Sequence, residues 1–541
     1  MLFTFVNPLA MDIIPKISLV RYKWQQAGGV LATGYIRHED TFVTSRQLAD
    51  SLDSKANYFA DFKEIASQMN GQFSLIAEKN GKVWISCCQT WSYPLFYHFS
   101  SAGLWISDDP REILARMGKP ALKKEILPYF LNFGVTPGSE TLVEEIQQAR
   151  PGEVICFSLK SKEKEHFLPD RGMDKISLQS DDETYAQLHK VFVKYSGFLN
   201  GKKVLVPLTG GYDSRLIACM LKEAGHNNVL CATWGRSGNS ETGTAEKVAK
   251  TLGFPWVFVP TDEQVKPGFW NEALFMRYID WSGHFSSMPY LQDYFAIHFL
   301  IESGLIDEDT VALPGHPGDF LRGSHLYSDL PEQNKGEVID SIIDNFGTSL
   351  PLTKTERTIV RDIIAAGYCS DDRLFNPVAA YERWDMEERQ CKFIGNSSQV
   401  YSFFGISQVV PLFDKELLDY FLALPFEQRL GASKYNKTIE NMVFKPLGCD
   451  FNLKPVGVTM KTGNKWKSFL LKMLPLPLKE WYYPVKDDAF YRELTEALME
   501  SDFSNRYRKP FKSHYYNCYL TQWYKYFVEN QLHHTFLEKS K

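Results

Sequence analysis

Residues Lys203 to Arg215 read Lys-Val-Leu-Val-Pro-Leu-Thr-Gly-Gly-Tyr-Asp-Ser-Arg, an apolar β-type run that passes directly into a turn holding two glycines, two aliphatic hydroxyls and a carboxylate. Such a turn suits a polyphosphate. Adjacent glycines let backbone N–H groups approach an anion closely and adopt backbone angles closed to other residues. A helix starting near Ser214 adds its positive N-terminal end; Leu216, Ile217, Met220, Leu221 and Ala224 share one face of it. Thr209 and Ser214 can donate hydroxyl hydrogen bonds to phosphate, whereas Asp213 repels phosphate unless a divalent cation stands between them, so the carboxylate implies Mg²⁺. The spacing is neither that of a Walker A loop nor Gly-x-Gly-x-x-Gly. An ordinary βα turn is the plain alternative.

The elements around this turn belong to an α/β pattern. Asn228 to Trp234 reads as a second strand and Pro255 to Val259 as a third, with Ala245, Val248, Ala249 and Leu252 forming a helix face between them. Strands alternating with helices of this length predict a parallel sheet whose ligand site lies at the strands' C-terminal ends. A second glycine-bearing polar loop, Val311 to Gly323, comes much later, and residues from roughly 370 to 440 are helical in pattern. Residues before about 170 differ. Gln72 to Ala77, Lys82 to Ser86 and Leu104 to Ser107 are short β runs separated by Asn80-Gly81 and Ser101-Ala102-Gly103 turns, a short helix follows from Pro110 to Met117, and a sheet sandwich with helical covers is expected.

At 541 residues the chain exceeds one typical core, and two domains follow. With 60 Lys+Arg against 65 Asp+Glu, the charge of −5 gives no electrostatic case for nucleic acid or an anionic membrane. Nine cysteines without metal-ligand spacing read as buried thiols of a reducing compartment, and the Cys87-Cys88 pair reads as strand packing. No basic-apolar leader and no run of about 20 apolar residues is seen, so neither a signal peptide nor a membrane span is predicted, and a cytoplasmic address is expected. The basic-aromatic stretch from about residue 460 (Lys465, Lys467, Lys472, Trp481, Tyr482, Tyr483, Tyr515, Tyr516, Trp523, Tyr524) reads as a packed helical cap.

The Thr209 turn resembles the Ser-Gly-Gly-x-Asp-Ser pyrophosphate loop of the ATP-pyrophosphatases, with Thr209 in place of the first serine. A wider resemblance runs over most of the chain. Gly71-Gln72-Phe73-Ser74, Tyr93 to Tyr97, Trp105 to Asp108, Thr141 to Ile146 with Pro151-Gly152, and Val410 to Pro425 resemble, in order and spacing, the asparagine synthetase family, β-lactam synthetases included. That resemblance implies an N-terminal-nucleophile (Ntn) hydrolase-like αββα sandwich over residues 1–170, related to glutamine amidotransferases, and an ATP-pyrophosphatase (adenine nucleotide α-hydrolase-like) parallel sheet with helical additions over 180–541. The family's nucleophilic cysteine after the initiator Met is Leu2 here, and an isobutyl group cannot attack a carboxamide, so the first domain is expected to be inactive.

On the same resemblance ATP and Mg²⁺ are expected on Thr209, Gly210, Gly211, Asp213 and Ser214, with Thr233 and Gly315 also nucleotide-binding, and Asp319 joining Asp213 at the metal. Lys434 matches a family lysine that touches ATP phosphates and the reaction centre. His316 stands where the family has a glutamate and Phe320 where it has a further acid; His316 is a base or phosphate contact titrating near its ordinary pKa of about 6.5, or it is loop packing. The implied activity is amide-bond formation: a small-molecule, sugar or peptide carboxylate is adenylated, then captured by ammonia or an amine, and a homodimer is compatible with it. A glutamine-hydrolysing asparagine synthase and a non-catalytic ATP-binding scaffold are the alternatives.

Overall fold

The computed structural model describes residues 2–3, 15–38, 41–118, 120–169, 178–238, 241–265, 268–348, 350–370, 375–453, 508 and 515–539. The expected cap falls largely elsewhere: Lys465, Lys467, Lys472, Trp481, Tyr482 and Tyr483 lie outside the described residues, as do the side chains of Tyr515 and Tyr516, while Trp523 and Tyr524 are buried on the helix Tyr515–Lys539.

Among the described residues, twelve strands precede residue 170: β1 (Leu2–Phe3), β2 (Lys16–Ser18), β3 (Gln25–Ala27), β4 (Val30–His38), β5 (Thr41–Thr44), β6 (Asn70–Lys79), β7 (Lys82–Cys87), β8 (Phe96–Ser100), β9 (Gly103–Ser107), β10 (Gln147–Gln148), β11 (Val154–Ser158) and β12 (Glu163–Phe167). They form a five-stranded sheet in the order β1-β2-β9-β8-β10 and a seven-stranded one in the order β12-β11-β7-β6-β4-β3, with β5 also on β4. Pairing is antiparallel except between β2 and β9. Side chains of a strand alternate between faces, and here the two faces of the larger sheet meet different partners. Leu31, Ile76, Val83, Ile85 and Phe157 face a core shared with Ile17, Leu104 and Ile106 of the smaller sheet. Their neighbours Val30, Ala32, Leu75, Ala77, Trp84 and Val154 pack instead against Leu48, Leu52 and Phe62, on the helices Ser45–Lys55 and Phe59–Gln68. The β6–β7 hairpin turns at Asn80-Gly81, both with positive φ (54° and 71°), as its two-residue turn requires.

The later half is built on a third sheet, all parallel: β13 (Val204–Pro207), β14 (Val229–Gly235), β15 (Trp256–Pro260), β16 (Val311–Ala312) and β17 (Ser407–Gln408), in the order β15-β14-β13-β16-β17. The chain is thus mixed α/β, with parallel and antiparallel sheets. Val204, Leu205 and Val206 are fully buried in this sheet, which is why the strand reads as a continuous apolar run without polar alternation. Strand order reverses at β13. Its two neighbours, β14 and β16, leave in opposite directions, and the loops after β13 and β16 flank a crevice at the strands' C-terminal ends, the place where an open parallel sheet binds ligands.

Polar side chains buried between the early strands and the later half tie the two together. Arg37 of β4 makes a bidentate pair with Asp414, Nε to Oδ2 at 2.9 Å and Nη2 to Oδ1 at 2.9 Å, and Asn70 and Tyr195 also donate to Asp414. Cys87 and Cys88 are both buried. Among the described residues no helix is long and apolar enough to cross a membrane.

Candidate active site

The crevice opens into a cavity of about 980 Å³ lined by Thr209, Gly210, Gly211, Asp213, Ser214, Thr233, Gly315, His316 and Asp319. Nine of the ten predicted residues therefore share one site. The β13 loop is braced internally: Ser214 Oγ accepts from the Thr209 N–H at 3.0 Å and lies 3.0 Å from Thr209 Oγ1, which in turn accepts from the Gly211 N–H at 3.2 Å. The helix Asp213–Glu223 then begins with no side-chain cap, so its first turn meets the cavity uncapped. Uncapped N–H groups at a helix start are donors for an anion.

The glycines act differently from the expectation. Neither Gly210 nor Gly211 has a positive φ, and a Cβ on Gly210 meets nothing closer than 3.4 Å. The steric demand lies across the crevice: a Cβ on Gly318 would stand 2.1 Å from the Asp213 Cγ, and one on Gly315 2.9 Å from the Ser214 nitrogen. Glycine is needed on the β16 loop because the two loops press together there.

Asp213 is half-buried at the start of its helix and Asp319 is more exposed on the short helix Gly318–Leu321. Burial pushes the Asp213 carboxyl up to about 7; Arg322 opposes this and the negative charge of Asp319 reinforces it. Tyr435 donates its hydroxyl to Asp213 at 3.3 Å. Asp319 is ion-paired with Arg322, and although burial raises its pKa, that pairing holds the carboxyl below its usual range. The guanidinium of Arg322 is itself raised by both acids. Two carboxylates of unequal proton affinity thus share one cation. A hard divalent ion bound by two carboxylates fills its other positions with water and phosphate oxygens; among the described residues no group of three or more His, Cys, Asp or Glu is placed to hold a metal ion.

His316 is neutral across the neutral range, because burial lowers its pKa to about 4. Its Nε2 lies 3.2 Å from Ser398 Oγ and its ring packs edge-on to Phe413. The expectation that it titrates near its ordinary value is corrected: the desolvated ring is a weak base that contacts the cavity as a neutral group.

Lys434 is not brought to the cavity. Its Nζ donates to Asp181 Oδ1 at 2.7 Å, at the N-terminus of the helix Asp181–Phe198, where Lys437 and Thr438 also reach the same carboxylate. Asn436 lines the cavity instead. On the helix Ser433–Ile439 two positions separated by two residues lie about 200° apart, so both cannot face one side. Asn436 is 3% exposed, and both its Oδ1 and Nδ2 lack a hydrogen-bond partner among the described residues. A buried amide left so is costly unless a ligand completes it.

The cavity residues not foreseen include Arg322, Arg389, Trp234 and Asp293. Arg322 follows Asp319 by three residues, a spacing that would have revealed it. Arg389 lies on the π-helix Asp385–Ile394, 3.5 Å from Asp385 and 3.4 Å from His325 Nε2, while His325 Nδ1 is 2.7 Å from Asp385. These contacts fix its guanidinium at the cavity wall. Nothing in the local pattern marked it.

No family model matches the chain, and no curated protein matches it. One similar solved structure is the NH3-dependent NAD synthetase from Campylobacter jejuni subsp. jejuni in complex with the nitrate ion, at 13% identity, covering 41% of this chain and 96% of that one, with a TM-score of 0.21.

Asn436→Ala is expected to weaken nucleotide binding roughly tenfold, the worth of one buried amide interaction with a charged group. Lys434→Ala is expected to change it less than about threefold, since the lysine serves a partly exposed ion pair. Equilibrium titration with a fluorescent ATP analogue measures both; the reverse ranking would restore Lys434 to the site.

Proposed function

We propose that the chain is an ATP-dependent carboxylate–amine ligase that adenylates a carboxylate and transfers the acyl group to ammonia or an amine, releasing AMP and pyrophosphate. The observation that carries this reading is the meeting of the β13 and β16 loops at the reversal of strand order, with Asp213 against Gly318 and Asp319 beside it. Thr209, Gly210, Gly211 and Ser214 supply phosphate donors, and Thr233, at the end of β14, and Gly315 border the nucleotide. Mg²⁺ held by Asp213 and Asp319 would shield the phosphates and bind the leaving pyrophosphate. Arg322 and Arg389 line the same cavity, and their positive charges would offset the negative charge that builds up as the α-phosphate is attacked. The neutral His316 offers a hydrogen bond, and the cavity would hold acyl-AMP beside its acceptor.

The early strands support the same reading as a scaffold. Their two sheets pack together with helices on the outer face of the larger one; on the resemblance, and with Leu2 in the nucleophile's place, we assign residues 1–170 no glutaminase role. Residues 180–541 are then the ATP-pyrophosphatase unit, and the cytoplasm is the compartment proposed. Purified protein with ATP and Mg²⁺, screened over carboxylates paired with ammonia and with amines, is expected to release pyrophosphate and AMP together. Release of ADP and phosphate would sink the adenylation step, and glutaminase activity would sink the scaffold role.

A further inference from the structure

The crevice is open on one side of the β13 turn and closed on the other. On the β16 side Gly315 and Gly318 sit so near Ser214 and Asp213 that neither could carry a Cβ without a clash, and nothing further fits between the loops. The end of β14, by contrast, lines the cavity over three successive residues, Thr233, Trp234 and Gly235. β13 and β14 pair with Pro207 beside Ala232, and the Thr233 hydroxyl donates to the Leu208 carbonyl at 2.7 Å. Trp234 therefore comes next to Thr209, where the phosphate-suited turn begins. Thr233 has little left to offer a ligand, since its hydroxyl oxygen also accepts from the Trp256 Nε1–H at 2.9 Å.

The indole of Trp234 is fixed but not covered. It packs against the core of the sheet while staying partly exposed at the cavity wall, and its Nε1–H donates to Asp293 Oδ1 at 2.8 Å, which sets the plane of the ring. Among the described residues no other aromatic ring and no cation stacks on it, whereas Trp256 on the next strand stacks on Phe258. A nucleobase has a π-face that stacks on an aromatic side chain whatever its hydrogen-bonding edge. The Asp293 carboxylate disfavours phosphate at this end, so the phosphates go to the helix start and Arg322, and the uncharged part of a nucleotide lies along β14.

We propose that Trp234 is the platform for the nucleobase, which stacks on the indole while the triphosphate lies on the β13 turn. That the guest is a nucleotide rests on the ligase reading. The direction in which it lies follows from the closed β16 side and the uncovered indole.

Calorimetric titration of the full chain, with Mg²⁺, separates base from phosphates by comparing ATP with inorganic tripolyphosphate. Wild type is expected to bind ATP at least about tenfold more tightly, within the roughly 5- to 100-fold that stacking of one base contributes. Trp234→Leu is expected to bring ATP down to the level of tripolyphosphate while binding tripolyphosphate as wild type does. Trp234→Phe, which keeps a ring but gives up the bond to Asp293, is expected to retain most of the preference. ATP, and not tripolyphosphate, is also expected to quench the tryptophan fluorescence of wild type, and Trp234→Phe to remove that quenching, which decides the matter should Trp234→Leu not fold. A preference for ATP that survives in Trp234→Leu, or quenching that survives in Trp234→Phe, overturns the proposal. A preference lost as fully in Trp234→Phe as in Trp234→Leu assigns the effect to the indole N–H and overturns it too. Failure of wild type to bind either ligand would remove the ligase reading, whereas equal binding of the two removes only the stacked base.

Discussion

Asp213→Asn is expected to lower ATP-dependent pyrophosphate release roughly 100-fold or more, with no loss of stability in the ligand-free protein. The amide keeps the shape of the side chain and its contacts with Gly318 and Tyr435. It removes the charge that a divalent ion and, through it, the phosphates require; loss of one such preorganised electrostatic contact costs on the order of 100-fold or more. The stability half of the prediction follows from proton linkage. Folding raises this carboxyl from 3.8 to about 7, so the folded chain holds the proton more tightly than the unfolded one. The stability gained is complete below about pH 4 and is lost as pH rises through 7. At pH 8 the carboxylate is ionised against its burial and against Asp319, and asparagine relieves that penalty. A thermal midpoint at pH 8 equal to or above that of the parent, with the advantage shrinking toward pH 5, goes with the lost activity. A variant that kept its rate would separate Asp213 from the chemistry altogether.

Lys392→Met is expected to destabilise the protein by about 3–5 kcal/mol, the usual cost of leaving one member of a buried pair without the other. Lys392 and Glu388 are fully buried, with Nζ to Oε2 at 2.8 Å, and Nζ also donates to the carbonyls of Thr136 and Gly138 at 3.0 and 2.7 Å. Burial lowers the lysine pKa and Glu388 opposes this. Methionine fills much of the volume but leaves a carboxylate and two carbonyls short of a donor. Adding Glu388→Gln should recover part of the loss, because the neutral amide still accepts from Tyr368 and the Gly138 N–H. Denaturant midpoints of the single and double variants check this; a single variant within about 1 kcal/mol of wild type would show that the pair contributes little. The same π-helix carries Arg389 and Gln390 to the cavity wall, so Lys392 joins the 136–138 segment to the site, and loosening it is expected to weaken nucleotide binding as well. π-Helices are rare and gather at functional sites.

The two glycine-bearing loops, the parallel strands beneath them and the acids Asp213 and Asp319 were all legible in the linear chain, because each is written in local terms. Apolar runs end in turn residues, and polar groups stand at short fixed spacing. The resemblance to asparagine synthetases drew attention to the segment 431–437, but it favoured Lys434 where the fold presents Asn436. That choice depends on which side of a short helix faces inward, and on Asp181, some 250 residues earlier, holding the lysine away. Arg389 and Asp293 were invisible for the same reason. Their significance comes from the company they keep, His325 and Asp385 in one case and Trp234 in the other.

By itself the sequence determined the alternation of strand and helix and the phosphate-suited turn, since these follow from residue type and near neighbours. Only the tertiary structure decided that Gly318 must be glycine, that His316 is neutral, and that Asn436 rather than Lys434 lines the cavity. Each of those properties is set by burial and by groups distant along the chain, and neither is written in local order.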